Sequence, residues 1–247
     1  MLSPKTESVW NFLRDQPLLA GFVLIGGTAL ALRIKHRRSE DLDLAYPDLH
    51  LPRTRLDALH QLGAEHGLQF DQDDDEAAVE EFAMGGMDLR DYQQNFVVHH
   101  EVKVSFFVPD IPLGKLLAAP PENKVRVATL QELFKTKCLV SALRSKTRDW
   151  LDLYLLLREH GFSMRDFRQA FQNAGVDSQC EIALTRLCSG IPQRDDEGYA
   201  HLLNNPPALE EMKQFFIEQR TRLEIEAAAE ASRTNPGRTS PQGDPAG

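Results

Sequence analysis

Two carboxylates two positions apart, Asp41 and Asp43, follow Gly26, Gly27 and Thr28 with twelve residues between. A glycine pair between a strand and a helix lets backbone amides approach a phosphate closely. The helix start there adds a partial positive charge and free N–H donors, and Thr28 adds a hydroxyl. Asp41 and Asp43 share one face of a strand, about 6–7 Å apart, and at an effective dielectric near 20 they repel by about 2.5 kcal/mol. A cation relieves that repulsion, and hard oxygen ligands beside a triphosphate suit Mg²⁺, or Mn²⁺ in its place. The chemistry implied is phosphoryl or nucleotidyl transfer. Taken singly, a glycine pair is a turn signal and an acidic strand end is a solvated one. In this order they place a phosphate cradle beside metal carboxylates.

Such a reaction needs positive charge for departing pyrophosphate. Residues 129–168 carry eight Lys or Arg against five Asp or Glu, in a chain of net charge −9. Lys137 and Arg144, seven apart, share a helical face, and Arg148 follows. The alternative for the next segment is a structural ion-pair network of Arg148, Asp149 and Asp152 at a helix start. Arg37, Arg38 and Ser39 stand just before the acidic strand, either gripping a nucleotide base or an acceptor backbone, or forming a solvated loop.

The elements that position these residues read clearly. Residues 5–16 space Val9, Phe12 and Leu13 as a helix ended by Pro17. Phe22 to Ile25 is a continuous apolar run stopped by glycine, as in a strand buried on both faces, and residues 29–35 form the helix after the bend. Residues 41–46 alternate polar and apolar with period two up to Pro47. Residues 54–66 make a helix with Leu56, Leu59 and Leu62 inward, and the acidic run 71–76 is a solvated loop or helix start. Residues 95–98 and 102–108 form a hairpin across His99, His100 and Glu101, so the sheet is mixed. From Thr129, whose spacing to Glu132 is a capping box, the chain turns helical: to about Leu143, then Trp150 to Leu157, then three or four more helices, the last near 207–231. The expected class is α/β (α+β), with a nucleotide-binding mixed-sheet domain over 1–120, a helical domain over 121–231, and a disordered tail over 232–247.

Composition narrows the partners. With 42% hydrophobic and 26% charged residues among 247, the chain has the make-up of a globular protein. No apolar run reaches the roughly 20 residues of a membrane span, and no basic-then-apolar leader opens the chain, so the expected compartment is the cytoplasm. Net acidity disfavours broad adhesion to a polyanion but leaves room for a local basic cleft. Cys138, Cys180 and Cys188 form no CxxC pair and read as small core residues. His60, His66, His99 and His100 read as surface residues rather than a ligand set.

The segment from Leu24 to Leu32, with His36, Arg37, Ser39, Asp41 and Asp43, resembles the first motif of the AbiEii-type nucleotidyltransferases, a branch of the DNA polymerase β-like superfamily known mainly as toxins of bacterial toxin–antitoxin and phage-defence systems. Glu132, Leu133, Lys137, Arg144, Arg148, Asp149, Asp152, Leu153 and Tyr154 resemble that family's second block. The resemblance covers about residues 20–160. It implies that Gly26, Gly27 and Thr28 hold the β- and γ-phosphates, that Asp41 and Asp43 ligate Mg²⁺, and that Lys137 faces the triphosphate or active site from the helical half. The implied partners are an NTP, an acceptor such as an RNA or tRNA end or a protein side chain, and an antitoxin protein; no membrane is involved.

One departure stands out. Polymerase-like transferases generally carry a third carboxylate on an adjacent strand, and Ser105 occupies that place here, with Glu101 more than about 13 Å along the strand. The sequence therefore leaves open a different base, a single metal, or no catalysis. The rivals to nucleotidyl transfer onto a macromolecule are a catalytically impaired nucleotide- or partner-binding protein and a small-molecule nucleotidyltransferase.

Overall fold

In a computed structural model of the chain, residues 2–117 and 124–234 are described. Helix α1 (Pro4–Leu13) is capped by Ser3, whose hydroxyl accepts from the Thr6 amide. Strand β1 (Val23–Ile25), buried throughout, runs directly into α2 (Gly26–Ile34). Strand β2 (Leu42–Ala45) buries Leu42 and Leu44 and leaves Asp43 half-buried, as its two-residue period requires. Next come α3 (Arg53–Glu65), β3 (Phe70–Gln72), α4 (Glu76–Met84), and the hairpin of β4 (Gln93–Val98) and β5 (Val102–Phe107), whose turn places His99 and His100 at positive φ.

The hairpin leads to α5 (Ile111–Leu116), and β6 (Arg126–Val127) completes a six-stranded sheet of order β3-β4-β5-β2-β1-β6. Pairs β2·β5 and β1·β6 are parallel and the rest antiparallel, so the sheet is mixed and the fold α+β. The acidic run divides three ways: Asp71 and Gln72 lie in β3, Asp75 caps α4 by accepting from the Ala78 amide, and Glu76 opens that helix.

The second half is helical: α6 (Leu130–Leu143), α7 (Thr147–Glu159), α8 (Met164–Ala174), α9 (Gln179–Ser189) and α10 (Leu209–Thr234). The Thr129 capping box forms, with the Glu132 carboxylate accepting from the Thr129 amide at 2.7 Å. Helix α2 packs on β1 and β2 and also on α6, and buried side chains run without a break from Leu24 and Phe106 to Phe134, Leu151 and Phe216. Of the tail expected over 232–247, the first three residues extend α10 and 235–247 lie outside the described residues.

Cys138 and Cys180 are buried and Cys188 half-buried, all as free thiols. His60 departs from the surface reading. It packs among Phe70, Phe96 and Phe106, and burial there lowers its pKa. No helix among the described residues is long and apolar enough to cross a membrane.

Candidate active site

The bend after β1 leaves no room for a Cβ unless a neighbour shifts. Gly26 has φ +74°, and a Cβ there would stand 2.3 Å from Asp43 Oδ2; a Cβ on Gly27 would stand 2.5 Å from Arg37 Nη2 and 3.0 Å from Ser39 Oγ. No side chain caps the start of α2, so its first amides are left for a ligand. Thr28 is fully buried; its hydroxyl donates to the Asp41 carbonyl oxygen and lies 3.0 Å from Ser39 Oγ. That side chain ties the bend to the acidic strand from behind.

Strand pairing brings the acids to the bend. Asp43 pairs with Ile25 on β1, the residue before Gly26, and with Ser105 on β5. Burial, then the neighbouring Asp41, push the Asp43 carboxyl up to about 6, against the opposing pull of Lys137 and Arg144. Asp41 sits at the open mouth. Loss of water on its protein side raises its pKa, with Arg148 and Lys103 pulling it down and Glu197 pushing it up. Among the described residues no three His, Cys, Asp or Glu side chains gather closely enough to hold a metal by themselves. Two hard carboxylates with raised pKa values fit a divalent cation that takes its remaining ligands from phosphate and water.

Behind the acids lies a buried ion-pair network. Lys137 Nζ stands 2.7 Å from Asp149 Oδ1 and 2.6 Å from Asp152 Oδ2. Arg37 donates twice to Asp152, from Nε at 2.7 Å and Nη2 at 3.0 Å, and His36 Nε2 lies 2.7 Å from the same carboxylate. Burial lowers the His36 pKa, so the neutral ring donates its Nε2 proton to Asp152. Burial opposes ionisation of Asp152, but Arg37 and Lys137 outweigh it and hold the carboxyl well below the usual range. Lys137 likewise keeps its charge: burial works against it, and Asp149 and Asp152 raise its pKa. Arg144, the extended residue ending α6, donates from Nε to Asp149 Oδ2 at 2.8 Å.

The two acids and the outer part of this network line one cleft of about 160 Å³, below the 300–1,000 Å³ typical of pockets that enclose a whole drug-sized ligand. Its size suits the phosphate end of a nucleotide. Gly27, Arg37, Ser39, Asp41, Asp43, Lys137, Arg144, Arg148 and Asp149 all face it, whereas Gly26 and Thr28 support it from behind. Arg148 is not part of the buried network. It donates from Nε to the Gly198 carbonyl oxygen at 3.0 Å and pairs with Glu197 at 3.3 Å. Two wall residues escaped the sequence reading, Lys146 and Glu197. Lys146 carried a signal, lying between Arg144 and Arg148 in the basic segment; Glu197 carried none, because it arrives on a loop some fifty residues downstream.

A family profile described as "Nucleotidyl transferase AbiEii toxin, Type IV TA system" matches residues 11–237. The chain belongs to the AbiEii nucleotidyltransferase toxin family. Among solved structures, this AbiEii chain is similar to an H. pylori protein described as a nucleotidyltransferase (17% identity, TM-score 0.47, 90% of this chain and 98% of that one). It is also similar to MenT4, a nucleotidyltransferase toxin of Mycobacterium tuberculosis (15% identity, TM-score 0.49, 87% and 84%). No curated protein matches it. As an AbiEii member the chain is a nucleotidyltransferase toxin by family, and its β2·β5 register sets a serine, not an acid, beside Asp43.

Proposed function

We propose that the chain moves a nucleoside monophosphate from an NTP to an acceptor hydroxyl, at an RNA end such as tRNA or on a protein side chain, in a toxin–antitoxin setting inside the cytoplasm. The acceptor oxygen attacks the α-phosphorus in line, the bond from that phosphorus to the bridging oxygen breaks, and pyrophosphate leaves. The amides of Gly27 and Thr28 receive phosphate oxygens. Arg144 and Arg148 face the triphosphate, and Lys137 adds charge from the wall while Asp149 fixes its position. Arg37 and Ser39 shape the floor beneath Gly27. Asp41 and Asp43 would hold Mg²⁺ or Mn²⁺, which when bound neutralises charge developing on the phosphate oxygens. The nucleotide lies between a sheet domain over 1–120 and a helical domain over 121–231.

The observation that carries this reading is convergence: the uncapped start of α2, the carboxylates Asp41 and Asp43, and the cations Lys137, Arg144 and Arg148 face one cleft. The test is incubation with each labelled NTP, Mg²⁺ and total tRNA, beside the Asp41→Ala/Asp43→Ala protein. Labelled RNA lost in the double variant supports the reading; label that survives the double substitution overturns it. The register of Ser105 beside Asp43 favours a second reading, a nucleotide-binding protein without turnover, for which NTP binding with no transfer to any acceptor is the outcome.

A further inference from the structure

Glu197 stands out among the cleft acids. Asp149 is fully engaged by Lys137 and Arg144, and Asp41 and Asp43 form the metal pair, whereas Glu197 comes from a loop of the helical half and points its carboxylate at two cleft cations. Its Oε2 lies 3.3 Å from Arg148 Nη1 and its Oε1 3.5 Å from Lys146 Nζ. These cations are largely shielded, at 22% and 20% side-chain exposure, while Glu197 is 55% exposed.

The loop does not reach the cleft by accident of a loose segment. Asp196 accepts from the Thr147 amide at 3.0 Å and from the Thr147 hydroxyl at 2.7 Å, at the start of α7. On the other side of Glu197, the Gly198 carbonyl oxygen accepts from Arg148 Nε at 3.0 Å. Further back, the Gln193 amide donates to the Ser145 carbonyl oxygen, and Gln193 Oε1 accepts from the Ser145 amide. The backbone is pinned on both sides of a side chain that, among the described residues, makes two long, half-exposed ion pairs. Such pairs are weak and readily exchanged for a stronger anion.

We infer that Glu197 is an internal counter-ion that competes with the nucleotide's phosphates for Lys146 and Arg148, and so sets how tightly the cleft holds triphosphate and the pyrophosphate it releases. The inference rests on the triphosphate reading of this cleft and goes further, since it adds Lys146 to the phosphate-binding set and gives the rim acid an opposing role. Without Glu197, Lys146 would keep only the distant Asp195 carboxylate, 3.9 Å from its Nζ, and the two shielded cations would retain a highly charged product; Glu197 takes them back as pyrophosphate leaves.

The test measures pyrophosphate and NTP affinity by titration calorimetry, together with transfer rate, for the wild type, Glu197→Gln, Lys146→Met and the double variant. Circular dichroism checks the fold, and Glu197→Asp serves as a shortened acid should the Gln variant fail to fold. Glu197→Gln should bind pyrophosphate roughly three- to tenfold more tightly, with stronger product inhibition, and the gain should shrink in the Lys146→Met background. Wild type that binds and turns over NTP, with Glu197→Gln binding no more tightly, overturns the counter-ion role alone. Unchanged affinity with a collapse of turnover makes Glu197 a reacting acid and also overturns it. Folded proteins that bind neither pyrophosphate nor NTP take the nucleotidyl-transfer reading down as well.

Discussion

Asp43 and Ser105 face one another across the parallel ladder between β2 and β5. A carboxylate at 105 would share the face of Asp43 and sit beside an acid whose pKa is already about 6. Ser105→Asp is therefore expected to lower the Tm of the metal-free protein by about 2–4 °C and to tighten Mg²⁺ binding several-fold. Differential scanning calorimetry with and without Mg²⁺ reads both; a variant more stable without metal would contradict the placement.

The Lys137 ammonium is held within 2.7 Å of two buried carboxylates. Removing it leaves Asp149 and Asp152 with one cation fewer in a site largely shielded from water. Lys137→Met should cost about 3–5 kcal/mol in urea unfolding, as for a broken buried ion pair. Arg144→Met, which removes a half-exposed partner of Asp149, should cost well under half of that. Equal losses would mean the network is not centred on Lys137.

Gly26 and Gly27 meet different obstacles. At Gly26 a methyl group collides with the Asp43 carboxylate and the residue is at positive φ, so Gly26→Ala should cost about 1–3 kcal/mol and displace a carboxylate of the proposed metal pair. At Gly27 the methyl meets Arg37 Nη2, the end of a side chain held in place by Asp152; the cost there is overpacking, also about 1–3 kcal/mol. Mg²⁺ affinity separates the two: Gly26→Ala should lose it, and Gly27→Ala should keep it while losing NTP affinity. Loss of Mg²⁺ affinity in both variants would refute the distinction.

The raised Asp43 pKa fixes a pH dependence. A carboxyl lifted from 3.8 to about 6 on folding contributes stability that is complete below about pH 4 and is lost as pH rises through 6. Asp152, held well below its usual value, contributes stability present above pH 4 and lost as the pH falls further. Thermal unfolding between pH 5 and 8 should show Mg²⁺ stabilising the protein more at pH 7 than at pH 5, and Asp43→Asn should abolish that difference. A Mg²⁺ effect independent of pH across this range would exclude Asp43 as the titrating ligand.

Much of the site was legible in the sequence because its parts are local. The apolar run broken at Gly26, the two-residue period around Asp41 and Asp43, and the Thr129–Glu132 capping box each declare an element within a few residues. What was not legible depends on pairing across the chain. Strands β3 and β6 are three and two residues long, too short to show a period. Thr28 turns its hydroxyl inward to Asp41, a choice set by the β1·β2 register and not by its spacing from the glycines. Arg37 read as either a nucleotide grip or a solvated loop residue, but it lies buried against an aspartate 115 residues away. The two readings of the segment around Arg148 also split: Asp149 and Asp152 form the network, and Arg148 turns to the cleft rim.

The most direct test of the central claim compares two labels on one nucleotide. With Mg²⁺ and acceptor RNA, NTP labelled at the α-phosphate should transfer its label to the acceptor, and NTP labelled at the γ-phosphate should release its label as pyrophosphate, both activities vanishing in Asp41→Ala/Asp43→Ala. Transfer of the γ-label, or α-label transfer that persists without the two aspartates, would contradict the account.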